Sequence, residues 1–134
     1  MSYFDVMNVA ATGMSAQRIR ITAISSNLAN AQTTKTADGG PYKRQDVVFQ
    51  TIMDGQNAGG VKVNQVITDD KPPILKYEPD HPDADEEGYV AYPNVNPIEE
   101  MVNMLEASRS YEANTTVLNT AKQLALKAIE IGKA

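Results

Sequence analysis

Residues 3–31, YFDVMNVAATGMSAQRIRITAISSNLANA, decide how this chain folds. Tyr3, Met7, Ala10, Met14, Gln17, Ile21, Ile24, Leu28 and Ala31 follow one another at alternating steps of four and three, and eight of these nine are apolar when alanine is counted. That is a period of 3.5 residues, the repeat of a coiled coil, sustained over the whole segment. Asn8, Thr12, Arg18, Arg20, Thr22 and Ser26 lie beside the stripe and keep it narrow. It is also long, about 42 Å at 1.5 Å per helical residue. A long, narrow stripe suits a partner helix better than a compact core.

The far end of the chain mirrors this segment. Asn96-Pro97 pairs a capping residue with proline at the first helical position, and Glu99 and Glu100 follow where the helix dipole favours carboxylates. Ile98, Met101, Val102 and Leu105 make one apolar face. Val117, Ala121, Leu124, Ala128 and Ile131 make a second run at 4-3-4-3 spacing, which Gly132 and Lys133 close. Between the runs lies the polar stretch Ser108-Arg109-Ser110-Tyr111-Glu112-Ala113-Asn114-Thr115-Thr116. It reads either as a solvated helix face or as a device that fixes register against a particular neighbour.

The middle is different in kind. All seven prolines lie between Pro41 and Pro97, and six of the eight glycines between Gly39 and Gly88, so a long helix is excluded there. Tyr42 to Ile52, with Val47-Val48-Phe49 at its centre, reads as a strand. Val61, Val63 and Val66 read as a second strand opened by a turn at Gly59-Gly60, and Gly39-Gly40 mark another turn. Ile74-Leu75 with Tyr77, and Tyr89 to Tyr92, add short apolar pieces on either side of an acidic loop. A small β-hairpin or three-stranded unit is expected, marginal without support from its neighbours. The pattern predicts an α+β protein in which long terminal helices form a coiled-coil layer around a β-hairpin or irregular insert. Its segments are 1–34, 35–96 and 97–134, the first and last joined as one discontinuous helical domain.

Composition removes several functions. The 134 residues carry a net charge of −5, without the basic face that nucleic-acid binding needs. The absence of cysteine excludes disulfides, thiolate nucleophiles and Cys-based zinc sites. The longest charge-free stretch, Ile21–Thr34, has 14 residues and many Thr, Ser and Asn, too short and polar to span a membrane. Asp5 precedes the first basic side chain, Arg18, so the basic start of a secretory signal peptide is missing and any export must use another route. Asp83-Ala84-Asp85-Glu86-Glu87-Gly88 imitates the first half of an EF-hand loop, but Asn94 stands where the bidentate Glu belongs. His81 sits between Pro79 and Pro82 and reads as part of a surface turn. No hydrolase, zinc-protease, P-loop or dinucleotide fingerprint occurs, so neither a catalytic site nor a cofactor or metal is expected.

Two motifs add a resemblance. Ser25-Ser26-Asn27-Leu28-Ala29-Asn30-Ala31-Gln32-Thr33-Thr34 resembles the N-terminal signature of bacterial flagellar rod and hook proteins, and Ser108-Arg109-Ser110-Tyr111-Glu112-Ala113-Asn114 resembles their C-terminal one. Gly40-Pro41-Tyr42, Val47-Val48-Phe49-Gln50, Gly59-Gly60-Val61-Lys62-Val63 and Gly88-Tyr89-Val90 extend the likeness to the flagellar basal-body rod protein family, nearly end to end. Thr36-Ala37-Asp38 departs from the Thr-Gly-aromatic sequence of many relatives. The resemblance implies a non-catalytic subunit of the proximal rod, polymerising through its terminal helices to transmit torque and line the export channel. Its partners would be copies of itself, other rod subunits, the basal-body membrane ring and the export gate. The flagellar type III apparatus would carry it to the periplasm-spanning rod without a cleaved signal.

Subunit contacts are expected at Met7, Met14, Ile21, Ile24, Asn27, Leu28, Asn30, Met101, Leu105, Tyr111, Asn114, Leu118, Leu124 and Ile131. Phe49 and Met53 match the Phe-x-x-x-apolar segment that engages the export gate, and read equally as a buried strand end. The alternative to a rod subunit is a helical-hairpin adaptor, its ends paired within one chain to present the insert to a protein partner.

Overall fold

The computed structural model describes residues 1–133, the side chain of Ala58 excepted; Ala134, the last residue of the expected C-terminal segment, lies outside them. Two long helices, α1 (Tyr3–Ala29) and α2 (Pro97–Gly132), flank four strands. The strands form two separate antiparallel pairs, β1 (Gln45–Asp54) with β2 (Asn57–Thr68) and β3 (Ile74–Tyr77) with β4 (Tyr89–Tyr92). The α+β arrangement is the one expected, but two hairpin-like sheets replace the single small unit.

Ser2 starts α1 with a capping box: its hydroxyl accepts from the Asp5 N–H at 3.2 Å, while the Asp5 carboxylate accepts from the Ser2 N–H at 2.7 Å. Those bonds hold the Asp5 carboxyl below its ordinary value, the backbone bond first and the side-chain bond second. The helix stops at Ala29 rather than running on to 34. There the Asn30 amide turns back to donate to the Ser26 carbonyl at 2.9 Å, and the Thr33 hydroxyl donates to Asn30 Oδ1 at 3.2 Å. Asn96 caps α2 as expected, its Oδ1 accepting from the N–H groups of Ile98 and Glu99.

The two helices pack antiparallel. Asn27 meets Glu100, Arg20 pairs with Glu106 at 3.6 Å, Gly13 lies against Asn114, and Met14 reaches Thr115. The β1–β2 hairpin lies along the other side of α1, from Gln45 beside Asn27 to Val61 beside Thr12. Helix α1 is thus the middle element, covered on two sides. Its buried positions are Ala10, Gly13, Ala16, Ala23, Ile24 and Asn27. The expected seam needs correcting: Ala10 and Ile24 belong to it, Met7, Met14, Ile21 and Leu28 flank it half-buried, and Tyr3 is exposed. Small residues win the centre because they let neighbours approach closely. A methyl group on Gly13 would stand 2.9 Å from the Asn114 amide nitrogen.

The hairpin turn also differs from expectation. The chain reverses between Asp54 and Asn57, through Gly55, and Gly59-Gly60 lie inside β2. The register jumps there, with Ile52 opposite Gly60 and Met53 opposite Ala58, so Gly59 is the extra residue of a bulge. Gly60 adopts φ +132°, open to glycine alone, and lets the strand settle on Thr12. The Thr12 hydroxyl accepts from the Val61 N–H at 3.2 Å and donates to the Val9 carbonyl at 2.7 Å, tying hairpin to helix. In the second pair, Val90 and Tyr92 are buried with Val95, and the Tyr92 hydroxyl donates to Glu78 at 2.8 Å. That bond raises the Tyr92 hydroxyl above its ordinary range.

Candidate assembly interface

A polar junction locks the end of the helix pair where α1 finishes and α2 begins. Asn27 Nδ2 donates to the Gln45 carbonyl at 2.9 Å and to Glu100 Oε2 at 3.1 Å. Its Oδ1 accepts from the Gln45 N–H at 2.8 Å and from the Tyr42 hydroxyl at 2.9 Å. All four hydrogen-bonding positions of this amide are filled, which allows it to be 0% exposed. Glu100, at 1% exposure, also accepts from Arg44 Nε. Burial opposes the Arg44 charge, but the hydrogen bond and charge of Glu100, helped by Asp46, raise the guanidinium above its ordinary value. One carboxylate and one amide therefore join α1, α2 and the start of β1.

Along the rest of α2, the side turned to α1 is built mainly from small and polar groups, with Met104 and Leu118 among them. Glu100, Met104, Ala107, Tyr111, Asn114, Leu118, Ala121 and Ala125 are buried or half-buried and follow strict 4-3 spacing. The polar stretch 108–116 does meet a neighbour, and that neighbour is α1 of the same chain. Sequence reasoning missed Glu100 and Tyr42 as junction residues and missed Arg44 and Gly13 altogether. The available clue was the unbroken 4-3 series from Glu100 to Ala125, concealed because Glu100, Tyr111 and Asn114 interrupt its apolar members.

The large apolar side chains of α2 point the other way. Ile98, Met101, Val102 and Leu105 lie opposite the seam, with Met101 60% and Leu105 54% exposed. Val117, Leu124, Leu126, Ile129 and Ile131 are also exposed. The buried apolar core named by the structure is, by contrast, mostly alanine: Ala10, Ala16, Ala23, Ala107 and Ala121, with Ile24, Val90, Tyr92 and Val95. An isolated domain normally hides its large side chains, and a surface stripe of them marks an interaction site.

The expected contact residues accordingly divide. Met101, Leu105, Leu124 and Ile131 are exposed. Met7, Met14, Ile21, Leu28, Asn30, Tyr111, Asn114 and Leu118 are half-buried beside the helix–helix seam. Ile24 and Asn27 are buried within the chain, and Asn27 has no hydrogen-bonding capacity left for another subunit. Phe49 is half-buried on β1, against the groove that holds Gly13 and Gly60, whereas Met53 is exposed near the hairpin turn. In the acidic loop, Asp85 Oδ1 accepts from the N–H groups of Glu87 and Tyr89, and His81 Nδ1 accepts from the Asp83 N–H, so both side chains shape local turns. Among the described residues no helix is long and apolar enough to cross a membrane.

A discontinuous helix pair with a small-residue seam and an apolar outer surface defines a class: a subunit whose surface is made for a larger assembly. Comparison with known proteins gives the family. Residues 7–35 match the model of the flagella basal body rod protein family, and residues 86–131 match that of the flagellar basal body rod FlgEFG protein C-terminal region. The chain is 46% identical to the flagellar basal-body rod protein FlgC of Yersinia enterocolitica, over 99% of this chain and 100% of the relative. It is 44% identical to that of Borreliella burgdorferi, over 98% of each chain, and 43% identical to that of Bacillus subtilis, over 99% of this chain and 100% of the relative. The chain belongs to the FlgC family of flagellar basal-body rod proteins.

Proposed function

We propose that the chain is a non-catalytic structural subunit of the proximal rod, the drive shaft of the flagellar basal body, and that the outer face of α2 is its main contact with neighbouring subunits. The observation that carries this reading is the distribution of side chains on α2, mainly alanine and polar groups with Met104 and Leu118 inside, and most of the large apolar groups outside. Packed in a rod, Ile98, Met101, Val102 and Leu105 are covered by neighbours. Burying each such side chain contributes about 1.5–3 kcal/mol, the driving force that the thin intrachain core lacks. Torque then passes through many packed contacts, and the Asn27–Glu100–Arg44 junction keeps the insert fixed to the helices that bear the load.

Met7, Met14, Ile21, Leu28, Asn30, Tyr111, Asn114 and Leu118 edge the helix pair, where a neighbouring helix can add to the seam; Leu124 and Ile131 continue the exposed surface. Other rod subunits, the membrane ring and the export gate are the further partners of this reading, and Phe49 with Met53 is the segment proposed to meet the gate. Export through the type III apparatus without a cleaved signal completes it. Replacing Leu105 with Asp tests the reading in cells lacking the native subunit. The expected result is a folded, exported protein that does not complete the rod, and hence no motility. Normal motility would overturn it.

A further inference from the structure

The chain carries six methionines and no cysteine, so its sulfur chemistry is confined to thioethers. The fold sorts them by exposure. Met7, Met14 and Met104 are half-buried along the helix–helix seam, and the Met14 sulfur accepts from the Thr115 hydroxyl at 3.9 Å. Met1 and Met53 are exposed at the chain start and near the hairpin turn. Met101 is exposed too, and of these three it alone lies on α2. Its neighbours on the outer face are Ile98 and Leu105, one turn away on either side, and Val102 beside it.

We propose that Met101 is a site of reversible oxidation by peroxide, and that its sulfoxide keeps the subunit out of the assembly without unfolding it. One oxygen of hydrogen peroxide bonds to the Met101 sulfur as the O–O bond breaks, and the other leaves as water. The sulfur gives up the two electrons that the peroxide gains. A thiol-dependent methionine sulfoxide reductase reverses the step: the oxygen leaves as water while two thiols of the reductase system become a disulfide.

The product is a polar acceptor where a flexible apolar side chain stood. Ile98, Val102 and Leu105 offer it no donor, so covering this face strands the sulfoxide oxygen without a hydrogen bond. In the single chain, water still reaches it. Met101 also stands outside the 4-3 series that packs against α1, so its oxidation leaves the helix pair intact. Met14 and Met104, which do pack there, are screened by the same seam they support. The site acts only before assembly, because a covered Met101 is closed to peroxide as well. The inference rests on the rod-subunit reading and adds to it a chemical control over which subunits are fit to assemble.

The full-length chain can be oxidised before it assembles. In cells without methionine sulfoxide reductases, another rod subunit is withheld, hydrogen peroxide is applied and washed out, and the missing subunit is then induced. Mass spectrometry is expected to find Met101 sulfoxide at least tenfold scarcer in chains recovered from basal bodies than in the pool that preceded assembly. In the purified protein, peroxide should oxidise Met101 at least fivefold faster than Met14 or Met104, with the circular dichroism spectrum unchanged while only exposed methionines have reacted. After the same pulse, Met101→Leu cells should lose at least fivefold less of their own untreated motility than cells with the native chain. Equal sulfoxide in the pool and in basal bodies overturns the inference, as do equal losses of motility or oxidation of Met101 no faster than Met104. If oxidised chains enter basal bodies freely while Leu105→Asp abolishes motility, the inference fails and the rod-subunit reading stands.

Discussion

The inner and outer faces of α2 are made to opposite specifications. The inner face, from Glu100 to Ala125, holds a carboxylate, an amide, a phenol and three alanines beside Met104 and Leu118, and it is the face that the chain buries for itself. The outer face holds Ile98, Met101, Val102 and Leu105 and stays exposed. Polar and small groups supply direction and closeness of approach, because each hydrogen bond is satisfied in only one register. Large apolar groups supply non-directional free energy. The chain uses the first to decide how it folds, and under the proposed function the second is left for assembly.

The largest effect that separates the faces comes from Leu105→Asp. It is expected to abolish rod completion and motility while shifting the stability of the isolated chain by only about 0.5 kcal/mol, as for other surface substitutions. Motility assays and thermal melts of the purified protein check the two halves of this expectation. Asn27→Ala attacks the α1 side of the contact with the inner face, at Glu100, and should do the reverse in kind. It strands Glu100 and the Gln45 backbone groups in a buried site, at a cost of about 3 kcal/mol. In a domain of this size that lowers the melting temperature by about 10 °C, readable by circular dichroism. Gly13→Leu pushes α2 away from α1 at Asn114 and should cost about 2 kcal/mol by overpacking; recovery in Gly13→Leu with Asn114→Ala would place the strain at that contact.

The smallest effect concerns the start of α1. The folded Asp5 carboxyl lies below its ordinary value of 3.8, so its stabilisation is fully present above that pH and disappears as pH falls through the depressed value. Amide exchange in the first turn should rise in acid, and Asp5→Asn should remove the pH dependence of that rise.

Much of the architecture can be read from local patterns, because Asn96-Pro97, the proline-rich middle and the repeating ends each carry their own instruction. What the sequence conceals has one physical cause. Periodicity was legible in apolar residues, yet beside Ala10 and Ile24 of that stripe the chain buries Gly13, Ala16, Asn27 and Glu100 and exposes Met101 and Leu105. A search for apolar stripes finds the exposed face of α2 and only part of the intrachain seam. The turn at Gly55 was missed for a related reason: Gly59-Gly60 looks like a turn by composition, whereas it serves a bulge that brings β2 against Thr12. The signature around Asn27 was recognisable as a motif, but its role depends on Tyr42, Gln45 and Glu100, which only the folded chain brings together.

The central claim is that the outer face of α2 is open in the single chain and covered in the rod. Leu105→Cys measures it directly, through the rate of labelling by a small maleimide in the purified monomer and in isolated basal bodies. The account predicts rapid labelling of the monomer and at least a hundredfold protection after assembly. Equal labelling in both states would contradict it.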